Sequence, residues 1–579
     1  MRIQRGKRGR KGAYALVMVL LLAAVSTLIY AGAHGWTCST TVINDRNNVY
    51  NRTVAAAEGA TERVLSYVTR DFLHQSYDPE DLEPYRNLVP VQEWAADFEF
   101  CDGASGPNRT FVDSSRTMVS TNLESQFRGL YGLVYSCQVR SQARALNTPY
   151  ENITAAVQQE LQLASIPVFQ FAIFYSMDLE INPGAQMTVT GKVHSNADIY
   201  AAPVVGLRFL DDVAATGKVK FYRHPDDPTE GTKVMPVFED DDGYVENVSS
   251  LTLPISSNNS PAAVQGILDV PPFNEPYQSL EGKQRYYNNC DLIVSVTHTN
   301  VLVQTGRWNN METVNPDVNP GLTNASYSFV KTNASFYDGR EKKWTLTTDI
   351  DVNAMRNWMA NGSTGGQVND LAKSTLGREL ASIYVDDRRS AAGKLTVARV
   401  VNGRYLPNSG LTVATSRPLY VKGHFNAPDT SPGSTNTTAT KPASLVGDAI
   451  TVLSGDWSDA NSGTPMNKAC DTTVNAAFLA GIVPTTNYFG TKHYSGGVEN
   501  FPRLLEDWRS RSLTYNGSMV IMFPSRFATG FWVQTGTYYH APTRRWAFDL
   551  NFLDYRKLPP ATPQVRKLIR GKWSVVAAN

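Results

Sequence analysis

The side chains best suited to chemistry are scattered in this chain. Eight histidines, at His34, His74, His194, His224, His298, His424, His493 and His540, include no HExxH pair to hold zinc, and no GxSxG turn presents a serine nucleophile. Two acidic groups carry oxygens of the kind calcium takes: the run Glu239-Asp240-Asp241-Asp242-Gly243, and Asp448, Asp456 and Asp459. The first lacks the EF-hand loop with its closing glutamate, and aspartates on turns also cap strands, so solvated turns are the plainer reading of both. The expectation is therefore no enzyme and no resident cofactor or metal, with calcium the one ion these groups suit. Cys38, Cys101, Cys137, Cys290 and Cys470 show no CxxC or Cys/His spacing for zinc. Trp344, Trp358, Trp457, Trp508 and Trp532 offer faces on which a sugar could stack, although Trp usually serves a core.

The elements that must position these residues begin at the N-terminus. Arg2, Arg5, Lys7, Arg8, Arg10 and Lys11 precede Gly12, and an uncharged run then extends from Ala13 to Ala33 through Leu16, Val17, Leu20, Leu21 and Leu22. At 1.5 Å per residue the run is roughly 31 Å long, the thickness of a hydrocarbon core. The basic flank keeps residues 1–12 cytoplasmic and sends the remainder across. A cleaved secretory signal would end at Ala31-Gly32-Ala33, but its apolar core is normally shorter than this one. An uncleaved anchor fits the length and leaves Gly12 unexplained.

Beyond the membrane run no proline occurs until Pro79, and Tyr50, Val54, Ala57, Thr61, Val64, Val68 and Phe72 recur at helical spacing. A stalk helix is expected over residues 13–78. Gly32, Gly35 and Gly59 each cost roughly 1 kcal/mol against Ala, so a bend or local melting is expected near residues 32–40. Residues 79–165 read as a mixed subdomain in which GLVYSCQVRSQARAL is a strand, while ENITAAVQQELQL fits either helix or strand. An exported compartment permits disulfides, and Cys101 with Cys137, both in strand-like sequence, is the expected pair.

Residues 166–579 read as a strand-rich body. Leu179, Ile181, Met187, Val189, Val193 and Ile199 fall in short period-two runs broken by Pro183-Gly184 and Ser195-Asn196, and the pattern returns at Leu411–Val413 and Leu419–Val421. Strands this short and close suit the rungs of a partial β-helix, although no strict repeat length is visible and an antiparallel sandwich stays open. The fold class expected is α+β, mainly β. Within the body, DIDVNAMRNWMANGSTGG should form a short helix capped by Asp351, with Val352, Met355 and Met359 on one side. The polar stretch 427–442 should be a mobile loop, having little apolar surface to bury. Composition supports a sizeable core, at 42% hydrophobic and 10% aromatic, and a formal charge of +1 without a basic tract in the body gives no footprint for nucleic acid.

The basic leader ending in Gly12, followed by a small residue and a long apolar run, resembles the class III leader of type IV pilins and type II secretion pseudopilins. Prepilin peptidase cuts such leaders after the glycine, which implies Ala13 as the first mature residue. Major pilins carry a glutamate at the fifth mature position, thought to pair with a neighbour's N-terminal amine; here that position is Val17. A missing carboxylate leaves that amine unanswered in lipid. By resemblance this is the pattern of PilX-like pilus assembly proteins and of the large K-type minor pseudopilin. The strings FQFAIFYSMDLEINPGAQMTVTGKVHSNADIY, PASLVGDAITVLSGDW and LTYNGSMVIMFPSRFATGFW are also similar to the large PilX-like proteins, over residues 1–75 and 166–579. The resemblance implies a non-enzymatic role in assembling a type IV pilus or secretion pseudopilus, priming or capping the filament. The partners it implies are prepilin peptidase, other pilin or pseudopilin subunits and the inner membrane, with the body periplasmic or at the cell surface. The alternative is a membrane-anchored surface binding or adhesion module with a β-helical body.

Overall fold

A single helix, α1, runs from Lys11 to Leu73 without interruption, 63 residues or roughly 94 Å. The computed structural model describes residues 11–578, except 75, 91–93, 104–105, 151, 230–232, 241–242, 254, 256–259, 317–326, 361–363, 464 and 534–535, with side chains from Tyr14 onward. The leader over residues 1–10 lies outside the described residues, and for Gly12 and Ala13 only the helical backbone is described. The helix continues through Gly32 and Gly35, so the local melting expected there does not occur. Alanines flank Gly32 on both sides, and the Thr37 and Thr41 hydroxyls donate to the carbonyls of Ala33 and Thr37 at 2.8 Å.

The last third of α1 packs on an antiparallel sheet. Strands β1 (Phe98–Cys101), β2 (Phe111–Ser114) and β3 (Val119–Asn122) all pair with β4 (Tyr131–Ala145), which pairs with β5 (Thr154–Pro167). The segment that fitted helix or strand is thus a strand. The next strand of this sheet comes from the far end of the chain: Gln564–Val576 runs antiparallel to β5, with Gln564 opposite Pro167 and Val575 opposite Val157. The sequence division at residue 166 places this strand with the body, whereas its backbone hydrogen bonds go to β5. Everything between Pro167 and Gln564 is therefore inserted between two neighbouring strands of one sheet.

The inserted body is strand-rich and mostly parallel. Ile173 pairs with Val193 and Val193 with Val213; Leu179 pairs with Ile199 and Ile199 with Val219; Met187 pairs with Leu207. Every step is 20 residues, the same separation at which Asp178 Oδ1 accepts the Asp198 N–H at 3.0 Å and Asp198 Oδ1 accepts the Lys218 N–H at 2.7 Å. A 20-residue repeat thus exists over residues 173–220, where none was visible because the buried positions accept Ile, Val, Leu or Met alike; the next pairings step further, Arg208 to Val237 and Ala214 to Val245.

The later chain adds a second parallel stack through Leu292–Val296, Ser382–Asp387, Leu411–Thr415, Ala443–Gly447, Ala477–Ile482 and Met519–Pro524. Its last strand pairs in parallel with Ile173–Tyr175, so the two stacks form one eleven-stranded sheet. Buried Ile173, Val193, Val213, Ile383, Val413, Leu445, Phe478 and Met519 share one face of it, each in register with the next.

Polar stretch 427–442 is tied down rather than loose. The Thr437 hydroxyl donates to Asp549 Oδ1 at 2.6 Å, Asn516 Nδ2 donates to the Ser434 carbonyl at 2.9 Å, and Asn426 Nδ2 donates to the Lys441 carbonyl at 2.7 Å. Hydrogen bonds from buried partners replace the apolar area that the loop lacks. The short helix Val352–Ala360 forms as expected: the Ala354 N–H donates to Asp351 Oδ1 at 3.0 Å, and Val352, Met355 and Met359 are buried.

Candidate functional site

Helix α1 has two halves with opposite surroundings. From Thr53 onward, Ala56, Ala57, Ala60, Thr61, Val64, Leu65, Val68 and Phe72 are buried at three- and four-residue steps. Val64, Leu65, Val68 and Phe72 meet Val112, Val139, Leu161 and Leu163 of the sheet, each contributing roughly 1.5–3 kcal/mol. Gly59 faces the Trp94 ring so closely that a Cβ there would come 2.8 Å from Cζ3.

Polar pins complete the attachment. Arg570 grips Glu62 with both guanidinium nitrogens at 2.5 and 2.8 Å, and Arg566 donates to the Phe72 carbonyl at 3.0 Å while lying over the Phe72 ring. The Tyr85 hydroxyl donates to Asp71 at 3.0 Å, and the Tyr150 hydroxyl to Asp45 at 2.8 Å. Arg566 and Arg570 escaped the sequence reading; the alternation in QVRKLIRGKW was the available signal.

The other half is bare. Leu16, Val17, Leu20, Leu21, Leu22, Leu28 and Ile29 are each exposed by half or more, and no Asp, Glu, Lys or Arg occurs between Gly12 and Asp45. The helix is long and apolar enough to cross a membrane, and the most apolar window in it has no buried residue. Its hydroxyls suit lipid, since Thr27 donates to the Ala23 carbonyl at 2.9 Å and leaves no hydroxyl hydrogen without an acceptor. Tyr30 and Trp36, both exposed by over 70%, lie near the end of the apolar run. The expected membrane residues Leu16 to Leu22 and Ala33 all fall on this exposed half.

No family model matches the sequence, and no curated protein matches it. Among solved structures, the chain aligns with competence-associated pilin ComZ from Thermus thermophilus. The alignment covers 91% of this chain and 97% of that one, with 9% identity and a TM-score of 0.24. That score does not establish a shared fold.

Other expected sites resolve differently. Cys101 stands opposite Gln142 and Cys137 opposite Ser114, so the two cysteines sit five positions apart along β4, roughly 17 Å. A disulfide needs Cα atoms within about 7 Å, and all five cysteines are free thiols. Burial pushes the Cys137 thiol up to about 12. Of the calcium candidates, Asp241 and Asp242 lie outside the described residues. Asp448 is occupied by the N–H groups of Arg526, Phe527 and Ala528 at 2.6, 2.9 and 2.8 Å. Asp459 pairs with Arg399 and accepts from Trp457 Nε1 at 2.8 Å. Among the described residues no cluster of three His, Cys, Asp or Glu could hold a metal. Of the tryptophans, Trp358, Trp457 and Trp508 are core, and Trp344 is half exposed.

Two buried carboxylates of the body were not singled out by sequence. Glu180 accepts from the Ser495 hydroxyl at 3.0 Å and the Thr485 hydroxyl at 2.5 Å, while Glu499 accepts from the Tyr494 hydroxyl at 3.2 Å. Burial raises both to about 7.

Proposed function

We infer that the chain is a pilin-like assembly subunit. In this reading prepilin peptidase removes residues 1–12, Ala13–Ala33 hold the protein in the inner membrane with the body periplasmic, and the exposed half of α1 packs among the helices of other pilin or pseudopilin subunits. The observation that supports it is the division of one helix: residues from Thr53 are clamped to a sheet, while the apolar run from Tyr14 to Ala33 is exposed at every position. Association through such a half needs only apolar packing, and Val17 brings no carboxylate to it.

A priming or capping position suits the size of the insert. A body hung between β5 and the C-terminal strand widens the subunit far beyond a helix, so further subunits cannot stack on its side of a growing filament. The 20-residue register over residues 173–220, with three strands in each repeat, supports a β-helical form for that part of the body, each rung covering the apolar interior of the next.

Mass spectrometry of the mature N-terminus tests the reading. An N-methylated Ala13, absent from cells lacking prepilin peptidase, is the expected result. A chain beginning at His34 or Met1 overturns the processing step, and a soluble product beginning at His34 overturns the assembly role.

A further inference from the structure

A cavity of about 220 Å³ lies between the chain leading into β4 and the body. Its walls are mostly apolar: Phe127 and Leu130 come from one side, and Phe171, Tyr244, Val248 and Leu251 from the other. Strands Val193–Ser195 and Val213–Ala215 form its back. Side chains alternate along a strand, so His194 and Ala214 fall on the face opposite Val193 and Val213, in register with each other and with Phe174.

His194 is the polar group buried in this wall, at 4% exposure, and its ring packs against Phe171 and Phe174 with centroids 5.7 and 5.6 Å away. Its tautomer follows from a neighbour. Asn196 Nδ2 donates to the Leu251 carbonyl and Asn196 Oδ1 accepts the Leu251 N–H, both at 2.8 Å, which fixes Oδ1 as an acceptor. His194 Nε2 lies 3.0 Å from that oxygen and therefore carries the proton. Burial lowers the pKa of the ring to about 4, so it is neutral at physiological pH and Nδ1 keeps its lone pair. Nδ1 has no hydrogen-bond partner among the described residues.

The lone pair and the walls together select a ligand. An unanswered acceptor in an apolar wall calls for a donor, and it repels an anion. The charged side chains that line the cavity are Arg128, Lys192, Asp212 and Asp240, two of each sign, with Lys192 paired to Asp212. Lys567 acts on the His194 ring from the last strand but does not line the cavity. No net charge therefore favours an ion. An apolar cavity of about 150 Å³ already holds benzene, so this one has room for two fused rings.

We propose that this cavity binds a neutral two-ring aromatic molecule carrying one N–H or O–H, with its rings against Phe127 and Phe171 and its donor on His194 Nδ1. The inference is independent of how α1 assembles. The test is equilibrium dialysis of indole and of benzothiophene, which have one shape but only one N–H between them, against the full chain in nanodiscs, with empty nanodiscs as the blank. Saturable binding of both ligands above the blank is expected. His194→Phe keeps a ring against Phe171 and Phe174 but removes the acceptor, so it should weaken indole about five- to tenfold and leave benzothiophene within about twofold. Ala214→Leu narrows the back of the cavity and should weaken both ligands, with near-ultraviolet dichroism showing that each variant is folded. No saturable binding to the wild type, a ratio of indole to benzothiophene affinity that His194→Phe leaves unchanged, or full binding of both ligands by Ala214→Leu would each overturn the proposal.

Discussion

Asp448→Asn is the sharpest test of how the body is held together. The Asp448 carboxylate is fully buried, with Oδ1 accepting the Arg526 N–H at 2.6 Å and Gln265 Nε2 at 3.2 Å, and Oδ2 accepting the N–H groups of Phe527 and Ala528. Its backbone carbonyl accepts from Gly481 and Ser525, so one residue ties three separate segments together. Asparagine keeps the shape but turns an amide nitrogen toward N–H groups, leaving at least one buried donor unpaired and removing the charge from the others. Charge-assisted bonds contribute about 1.5–3 kcal/mol and an unsatisfied buried donor costs about 1–3 kcal/mol, giving a loss of about 3–5 kcal/mol. For a unit this large that corresponds to a fall in melting temperature of roughly 3–10 °C, following the size trend of unfolding entropy. The assay is thermal unfolding of the full chain, followed by tryptophan fluorescence, with and without calcium. A variant melting within 1 °C of wild type would refute the reasoning. So would a calcium-dependent rise in the wild type that the variant lacks, since Asp448 would then be a ligand and not a staple.

Three further outcomes are expected. Gly59→Ala forces a methyl into the Trp94 ring; overpacking of about 1–3 kcal/mol outweighs the roughly 1 kcal/mol gained in helix propensity. The sheet beneath α1 should lose stability and the tryptophan difference spectrum against Trp94→Phe should shift red, whereas an unchanged difference spectrum contradicts the contact. Glu180 and Glu499 are raised to about 7 in the fold, so their stabilising share is complete below the unfolded carboxylate range and is lost as pH rises toward 7. The body should melt higher at pH 5 than at pH 8, and Glu499→Gln should flatten that slope; proteolytic resistance across pH checks the sign. Under native conditions maleimide should label Cys38 at once and leave Cys137 and Cys290 untouched, with dithiothreitol not shifting the melt; labelling of only four thiols after denaturation would point to a modified cysteine.

Much of α1 was legible because its signal is simple. Hydropathy gives the membrane run, the absence of proline gives continuity, and the spacing of Val64, Val68 and Phe72 gives the buried face. The Asp351 cap was equally plain, because a side-chain acceptor just before an amphipathic stretch acts locally. The other elements depended on distant partners. Cys101 and Cys137 both lie in strands, yet only the register along β4 shows that they sit too far apart to join. The last strand reads as an ordinary surface segment until β5 is placed beside it. The 20-residue repeat is carried by buried positions such as Ile173, Val193 and Val213, whose chemistry is shared by much of any core. Phe127, His194 and Leu251 come to one cavity only in the fold, so no motif announces it.

The order in which the body is stacked bears on its biogenesis. Ile173–Tyr175 receives its lower neighbour only from Met519–Pro524, and Ser176 bonds to a carbonyl 346 residues further along. At a synthesis rate of about 5–20 residues per second, that edge waits roughly 17–70 seconds for its mate. The sheet beneath α1 waits longer still, for the final strand. A nascent chain thus carries two open seams until its tail arrives, so early products call for a holding chaperone. A ribosome that stops short releases a chain with both seams unsealed and marked for proteolysis.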